Sequence, residues 1–313
     1  MHTASARRVS HWGYAHIIAA ALLWATIGPA ARFALRAGVQ PLEISFWRAA
    51  IGGLLFVVHA AAQRRLRIAR HDLPAVGGFA LLGVTVLYWS YFRAVQLGGA
   101  ALAAILLYTA AAWVALAAAL WLGERLTMRK ALAVALTLAG IALVALGSGS
   151  SGFGDASHSA TRASALAWGL LAGLSYAVYY LFGKRYFARY EASTLFAYAL
   201  PVGAALLLPA VAFAPKSAAD WLVLVFLGVV PTYGAYLFYS AGLARVEATR
   251  AATVATLEPV AAAALAYAVW GEALRGLGYV GAALVLAGVL LVATERGVRD
   301  VVEPPHEGPA PTP

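Results

Sequence analysis

The sequence predicts an all-α membrane protein of ten transmembrane helices arranged as two inverted five-helix repeats, with both termini cytoplasmic. Three observations predict it. Of 313 residues, 63% are hydrophobic and only 12% charged, about half the charge of an average soluble domain. Charge-free apolar stretches of membrane-crossing length recur along the chain. The two halves then match each other at a single offset of 148 residues.

So few charged groups cannot form the polar shell that a water-soluble core of this size needs. The surplus apolar surface faces lipid. The net charge of +10 would suggest nucleic acid in a soluble protein. Here the basic residues sit in short gaps between apolar runs, where they set topology, and no nucleic-acid partner is expected. There is no cysteine, which excludes disulfides and thiolate metal sites. The first apolar run follows no signal-peptide cleavage pattern and reads as a retained helix.

The apolar stretches run Trp12 to Ala31, Ala49 to Gln63, Leu73 to Phe92, Ala94 to Gly123 and Ala131 to Gly154 in the first half. The second half has Ala163 to Gly183, Ala192 to Pro215, Trp221 to Ala244, Ala251 to Gly271 and Gly276 to Thr294. The second helix begins near Leu42 and contains Arg48, and the ninth contains Glu258. With a cytoplasmic amino terminus, sixteen Lys and Arg fall in inside segments and six in outside segments, as the positive-inside rule requires.

The offset pairs Ala139-Gly-Ile-Ala-Leu-Val-Ala145 with Ala287-Gly-Val-Leu-Leu-Val-Ala293 and Gly123-Glu124-Arg125-Leu126 with Gly271-Glu272-Ala273-Leu274. Tyr88 then falls on Tyr236 and Tyr91 on Tyr239. Five helices per repeat is an odd number, so the second copy enters the membrane in the opposite sense, as in many secondary transporters. The expected organisation is a cytoplasmic segment 1–13, a first repeat 14–147, a periplasmic Gly/Ser linker 148–161, a second repeat 162–294, and a proline-rich, disordered cytoplasmic tail 295–313.

Leu23-Trp24-Ala25, Ser45-Phe46-Trp47-Arg48, Leu174-Ser175-Tyr176-Ala177, Leu257-Glu258-Pro259-Val260 and the two Gly-Glu-x-Leu turns, in this order and spacing, resemble the EamA-type transporters of the drug/metabolite transporter superfamily. The likeness spans residues 14 to 294 and is closest to the YddG-type amino-acid exporters. It implies export of amino acids, aromatic ones included, across a bacterial inner membrane. The Glu-Pro element occurs in the second repeat alone, for Thr109-Ala110-Ala111 stands in the corresponding part of helix 4.

A carrier needs a cavity lining. Thr85, Tyr88, Trp89, Phe92 and Gln96 share one face of helix 3. Helix 8 carries Thr232, Tyr233, Tyr236 and Ser240, and helix 6 carries Trp168, Ser175, Tyr176, Tyr179 and Gly183. Helix 4 adds Tyr108, Thr109 and Trp113, and helix 1 adds Trp24 and Thr26. For Tyr88, Tyr108, Tyr179 and Tyr236, cavity lining competes with plain helix packing. Trp12, Tyr14, Trp121, Trp221 and Trp270 suit interfacial anchors.

Arg48 and Glu258 are the two ionisable groups inside spans. Such groups cost at least about 2.5 kcal/mol to insert and usually face protein or water. Arg48 has the geometry to fork a substrate carboxylate, and Glu258 to take an amino group or a proton. The competing reading pairs each with hydroxyls or carbonyls of other helices. Arg93, Glu43, Glu124 and Glu272 read as helix-end residues. Small residues at Ala131, Ala135, Ala139, Gly140, Gly281 and Gly288 let helices 5 and 10 pack closely, with no oligomer required.

No enzyme is expected: the seven His are scattered, and no carboxylate cluster suits a metal. No phosphate-binding loop is present, so neither ATP-driven pumping nor any cofactor is expected. A membrane enzyme is the main rival from another class and a channel a further one, and a cationic aromatic drug is the rival substrate. The basic-residue count makes one prediction. A reporter fused after Arg299 reads cytoplasmic and one inserted near Ser151 reads periplasmic; both on one side would remove the inverted repeat.

Overall fold

The computed structural model describes residues 3–147, 159–271 and 273–294. The predicted linker, the tail and Glu272 lie outside the described residues, apart from residues 159–161, which are helical.

Among the described residues there are ten helices long and apolar enough to cross a membrane and no strands. They are α1 (His11–Arg36), α2 (Pro41–Ala62), α3 (Arg70–Gly99), α4 (Leu102–Trp121), α5 (Met128–Leu146), α6 (Ala163–Tyr186), α7 (Ala192–Ala210), α8 (Ala218–Leu243), α9 (Ala248–Trp270) and α10 (Gly276–Ala293). Several boundaries differ from those read in the sequence. The helix leading into α1 begins at Thr3, within the stretch expected to be a separate segment. α3 runs through Arg93, where a charge had suggested its end. The break falls instead at Gly99, whose φ of 80° suits glycine alone at low cost. α7 closes in a tight turn over Leu208–Ala210, because Pro209 cannot continue the helix. It therefore stops short of Pro215.

Each helix finds its main partner in the other half of the chain. α5 packs on α10, α2 on α7, α1 on α8 and α3 on α6, while α4 packs chiefly on α6 and α9 on α1. This set is its own image when the halves are exchanged, as an inverted repeat demands. The α5–α10 seam is the closest. A Cβ added at Gly281 would lie 2.5 Å from both the Gly140 carbonyl oxygen and the Val144 nitrogen, so backbone meets backbone there.

Hydrocarbon offers no partner for a stray backbone group, yet five spans depart from regular α-helix. α3 and α8 each contain a π-helical stretch, Ala80–Val86 and Val229–Gly234, at corresponding positions of the repeat. In each a threonine answers a carbonyl five residues back: Thr85 Oγ1 donates to Ala80 O at 3.2 Å, and Thr232 Oγ1 to Leu227 O at 2.8 Å. α1, α4 and α9 break at Thr26, Thr109 and Thr256. Their hydroxyls donate to Leu23 O, Leu106 O and Thr253 O at 2.7, 2.6 and 2.5 Å. The breaks in α4 and α9 are repeat-related within one residue.

The repeat also places matching carboxylates at the two ends of the bundle. Glu43, fully buried in the first turn of α2, pairs with Lys216 and accepts from Ala214 N at 3.0 Å. Its counterpart Glu191, just before α7, pairs with Arg65. Each therefore holds the connection that follows the partner helix, on opposite faces. Asp72 and Asp220 are another such pair. Asp72 accepts from Tyr190 Oη at 2.7 Å and from Arg189 Nη1 at 3.3 Å, while Asp220 closes a capping box with Ser217.

Bonds between the halves close the face on which the chain begins. Glu124 accepts from Ala248 N at 2.6 Å and Thr249 Oγ1 at 2.8 Å, capping the start of α9. Glu247 lies 2.8 Å from Lys130 and 2.6 Å from Arg250, whose Nη1 reaches Tyr14 Oη at 3.0 Å. Burial alone would raise the Glu247 pKa, but the Lys130 and Arg250 charges outweigh it and hold the carboxyl below its ordinary value. Tyr14 is therefore a buried partner of this network, not the interfacial anchor its position suggested.

Candidate functional site

The breaks in α4 and α9 come together against α6. Gly173 makes the approach possible: a Cβ there would lie 2.4 Å from Thr109 Oγ1 and 2.5 Å from Leu106 O. A small cavity lies at the junction, lined by Tyr108 and Ala111 of α4, Tyr176 and Tyr180 of α6, and Ala255 and Thr256 of α9. Glu258 stands one residue past Leu257, where the helix resumes, and its carboxylate interacts with the Tyr108 hydroxyl. Pro259 follows it and lacks the N–H that a continuous helix would use.

A second group of side chains joins this one. Tyr236 Oη donates to Tyr179 Oη at 3.1 Å. The Tyr236 ring stacks on Phe196 at 4.7 Å and meets Trp24 edge-on at 6.0 Å. Tyr239 closes the set against Trp24 at 5.6 Å and Tyr180 at 5.5 Å. Arg48 reaches in from α2, its Nε donating to Thr232 Oγ1 at 3.3 Å and its guanidinium 5.8 Å from the Tyr88 ring centroid. The charge of Arg48 acts on Glu258 across this space.

The sequence candidates thus separate. Trp24, Arg48, Tyr88, Tyr108, Tyr176, Tyr179, Tyr236 and Glu258 converge between the repeats. Thr26 and Thr109 serve helix breaks, and Thr85 bonds Ala80 O and Gly203 O, so these three shape the helices. Ser175 is buried inside α6. Tyr233 turns to α2, where its hydroxyl meets His59 Nδ1 at 2.8 Å and its ring packs on Phe56. Trp89 has a ring contact with Phe92 alone. Phe196, Tyr180, Tyr239 and Thr256 were not chosen from the sequence. The repeat carried a signal for three of them: at the offset, Phe196 corresponds to Arg48, Tyr239 to Tyr91 and Thr256 to Tyr108.

Access to this region is unequal on its two sides. All eight residues of Ala248–Ala255, the half of α9 toward the chain's starting face, are buried. None of the fourteen residues of Leu257–Trp270 is. Lipid covers one side of a peripheral helix, and packing normally buries the other. The outer half touches α1, α5 and α10, yet every one of its residues keeps part of its surface exposed. The ion and hydrogen-bond network shuts one face, while the half of α9 toward the other face keeps its residues partly exposed.

A sequence profile of the EamA-like transporter family matches residues 11–146 and again residues 163–294. An uncharacterized transporter of Archaeoglobus fulgidus is 30% identical over 288 residues, covering 92% of this chain and 98% of its own. A probable terminal-alkyne amino-acid exporter of Streptantibioticus cattleyicolor is 28% identical over 290 residues, covering 88% and 91%. A solved crystal structure superposes with a TM-score of 0.78 at 23% identity, covering 90% of this chain and 96% of that one. It supports the fold alone.

Glu258→Gln keeps the size of the side chain and removes its charge. We expect a loss of transport of more than about tenfold, the effect of one charge-assisted hydrogen bond of about 1.5–3 kcal/mol, with the melting temperature nearly unchanged. Tyr108→Phe, which removes only the donor, has a smaller effect. Transport and melting measured on the same purified proteins decide it: normal transport with lowered stability would make Glu258 a packing residue.

Proposed function

The chain belongs to the EamA-like transporter family, and from that premise we propose that it is an alternating-access carrier exporting amino acids, aromatic ones among them. In this reading the chain's starting face is cytoplasmic, both termini lie there, and the membrane is a bacterial inner membrane. The six-to-sixteen split of basic residues supports that orientation.

The observation that carries the reading is the junction of the α4 and α9 breaks. It brings one guanidinium, one carboxylate and a wall of tyrosines into the interface between two inverted repeats. Broken helices at a repeat interface are where secondary transporters place their sites. An amino-acid zwitterion has the complementary chemistry: a carboxylate for Arg48, an ammonium for Glu258, and a side chain for the aromatic surfaces of Tyr179, Tyr236 and Trp24. The amino-acid exporter among the relatives supports the same class. With the starting face shut and the outer half of α9 partly exposed, the present state is read as the one that releases cargo outside.

Tyrosine faces beside a carboxylate also suit a cationic aromatic drug, and one experiment separates the readings. Purified protein in liposomes, offered labelled amino acids with and without a proton gradient, should show saturable counterflow of phenylalanine, tyrosine or tryptophan. Transport restricted to quaternary or lipophilic cations would replace the amino-acid reading, and non-saturable flux would make the protein a channel.

A further inference from the structure

We infer that Arg48 and Tyr88 form the carboxylate-binding end of the substrate site, so that a substrate is selected by its carboxylate first. The inference rests on the carrier reading above and assigns one end of its cargo.

Two groups in this region are unusual in what they lack. Arg48 carries a guanidinium inside a span, yet no carboxylate lies within ion-pairing distance of it among the described residues. Its single hydrogen bond uses Nε, to Thr232 Oγ1. Thr232 in turn spends its own proton on Leu227 O, so it can only accept, and the bond fixes the plane of the guanidinium. Both terminal nitrogens are left without a partner. They present a planar set of donors spaced for the two oxygens of a carboxylate.

Tyr88 is the second. It is 8% exposed, and its hydroxyl is one of three buried side-chain polar atoms with no hydrogen-bond partner among the described residues. Leaving such a group unpaired carries the full cost of its desolvation, and most buried side-chain polar atoms have a partner. The Tyr88 ring lies under the Arg48 guanidinium, and its hydroxyl is close enough to those of Tyr179 and Tyr236 to interact with them electrostatically. One anion in front of Arg48 satisfies the terminal guanidinium nitrogens and the Tyr88 hydroxyl together. The adjoining rings of Tyr179, Phe196, Tyr236 and Trp24 leave an apolar, aromatic neighbour as the rest of the ligand. Glu258 is not that anion, because no ion pair joins it to Arg48 among the described residues.

The test measures binding of four probes to the purified full-length chain by calorimetry: L-phenylalanine, L-phenylalaninamide, 3-phenylpropionate and phenyl phosphate. We expect phenylalanine and phenylpropionate to bind and the amide to bind at least roughly tenfold more weakly, the loss that goes with a charge-assisted pair. Arg48→Gln should remove that preference, a ratio within one protein that does not depend on how much of it is folded. Tyr88→Phe should weaken phenylalanine severalfold without lowering the melting temperature, since its hydroxyl bonds nothing in the free protein; a purely structural Tyr88 would leave affinity unchanged. Equal binding of amide and acid, equal weakening of both by Arg48→Gln, preference for phenyl phosphate, or a failure of both carboxylates to bind would each overturn the inference. Binding of phenylpropionate but not phenylalanine would keep this subsite and remove the amino-acid reading. Phenylalanine transport indifferent to Arg48 would do the reverse.

Discussion

Every unpaired backbone group inside a bilayer must find its partner in the protein, and this chain departs from regular helix in five of its ten spans. Threonine hydroxyls stand at all five irregularities. At Thr26, Thr85, Thr109, Thr232 and Thr256 a side-chain hydroxyl adds a hydrogen bond to a carbonyl at the irregularity and is itself satisfied there. What the irregularities gain is position. The π-helical stretches re-aim the second halves of α3 and α8, which carry Tyr88, Tyr236 and Tyr239. The breaks in α4 and α9 open the junction where Tyr108 meets Glu258. Without locally satisfied breaks there would be no polar site at this depth, because a straight apolar helix presents neither a polar backbone nor a cavity.

The exchange of partners between halves explains why the site can be shared and still be rigid. Because α1 packs on α8, α3 on α6, and α4 on α6 and α9, each wall of the cavity is built from both repeats. The α5–α10 seam, where Gly140 and Gly281 bring backbones together, lies apart from the site and suits a fixed frame. Matching carboxylates at the two ends, Glu43 and Glu191, hold the connections on opposite faces. An inverted repeat of this kind has two related arrangements available, one with each face shut. The present one shuts the starting face through Glu124, Glu247 and Arg250 of the α4–α5–α9 region.

Much of this was legible in the sequence. Ten spans follow from apolar length, and the repeat from the 148-residue offset, because both are carried by long stretches. Arg48, Glu258, Tyr88, Tyr108, Tyr179 and Tyr236 were identifiable because charge and large polar rings are conspicuous in an apolar span. Three kinds of feature were not legible. Helix ends set by backbone conformation, such as Gly99, were misplaced in favour of the nearby charge at Arg93. Threonines that serve a helix irregularity look like lining residues, as Thr85 and Thr109 did, because the sequence does not show where a hydrogen-bond ladder shifts. Phe196 was overlooked since an aromatic residue in a membrane helix is ordinary; only the packing shows it at the centre of the tyrosine cluster.

The central claim is that α9 divides at Thr256 into a shut half and an open half whose roles exchange during transport. The chain contains no cysteine, so single cysteines report cleanly. Ala262 stands one turn past Glu258 on the same face of the second half of α9, and Ala251 is fully buried in the first half. The decisive measurement is the rate at which a membrane-impermeant thiol reagent labels Ala251→Cys and Ala262→Cys in purified protein, with and without transported substrate. The account predicts fast labelling at 262 and slow labelling at 251 in the free protein, with substrate raising the second as it lowers the first. Simultaneous fast labelling of both would show a continuous pore, and rates indifferent to substrate would show a bundle that does not move; either contradicts it.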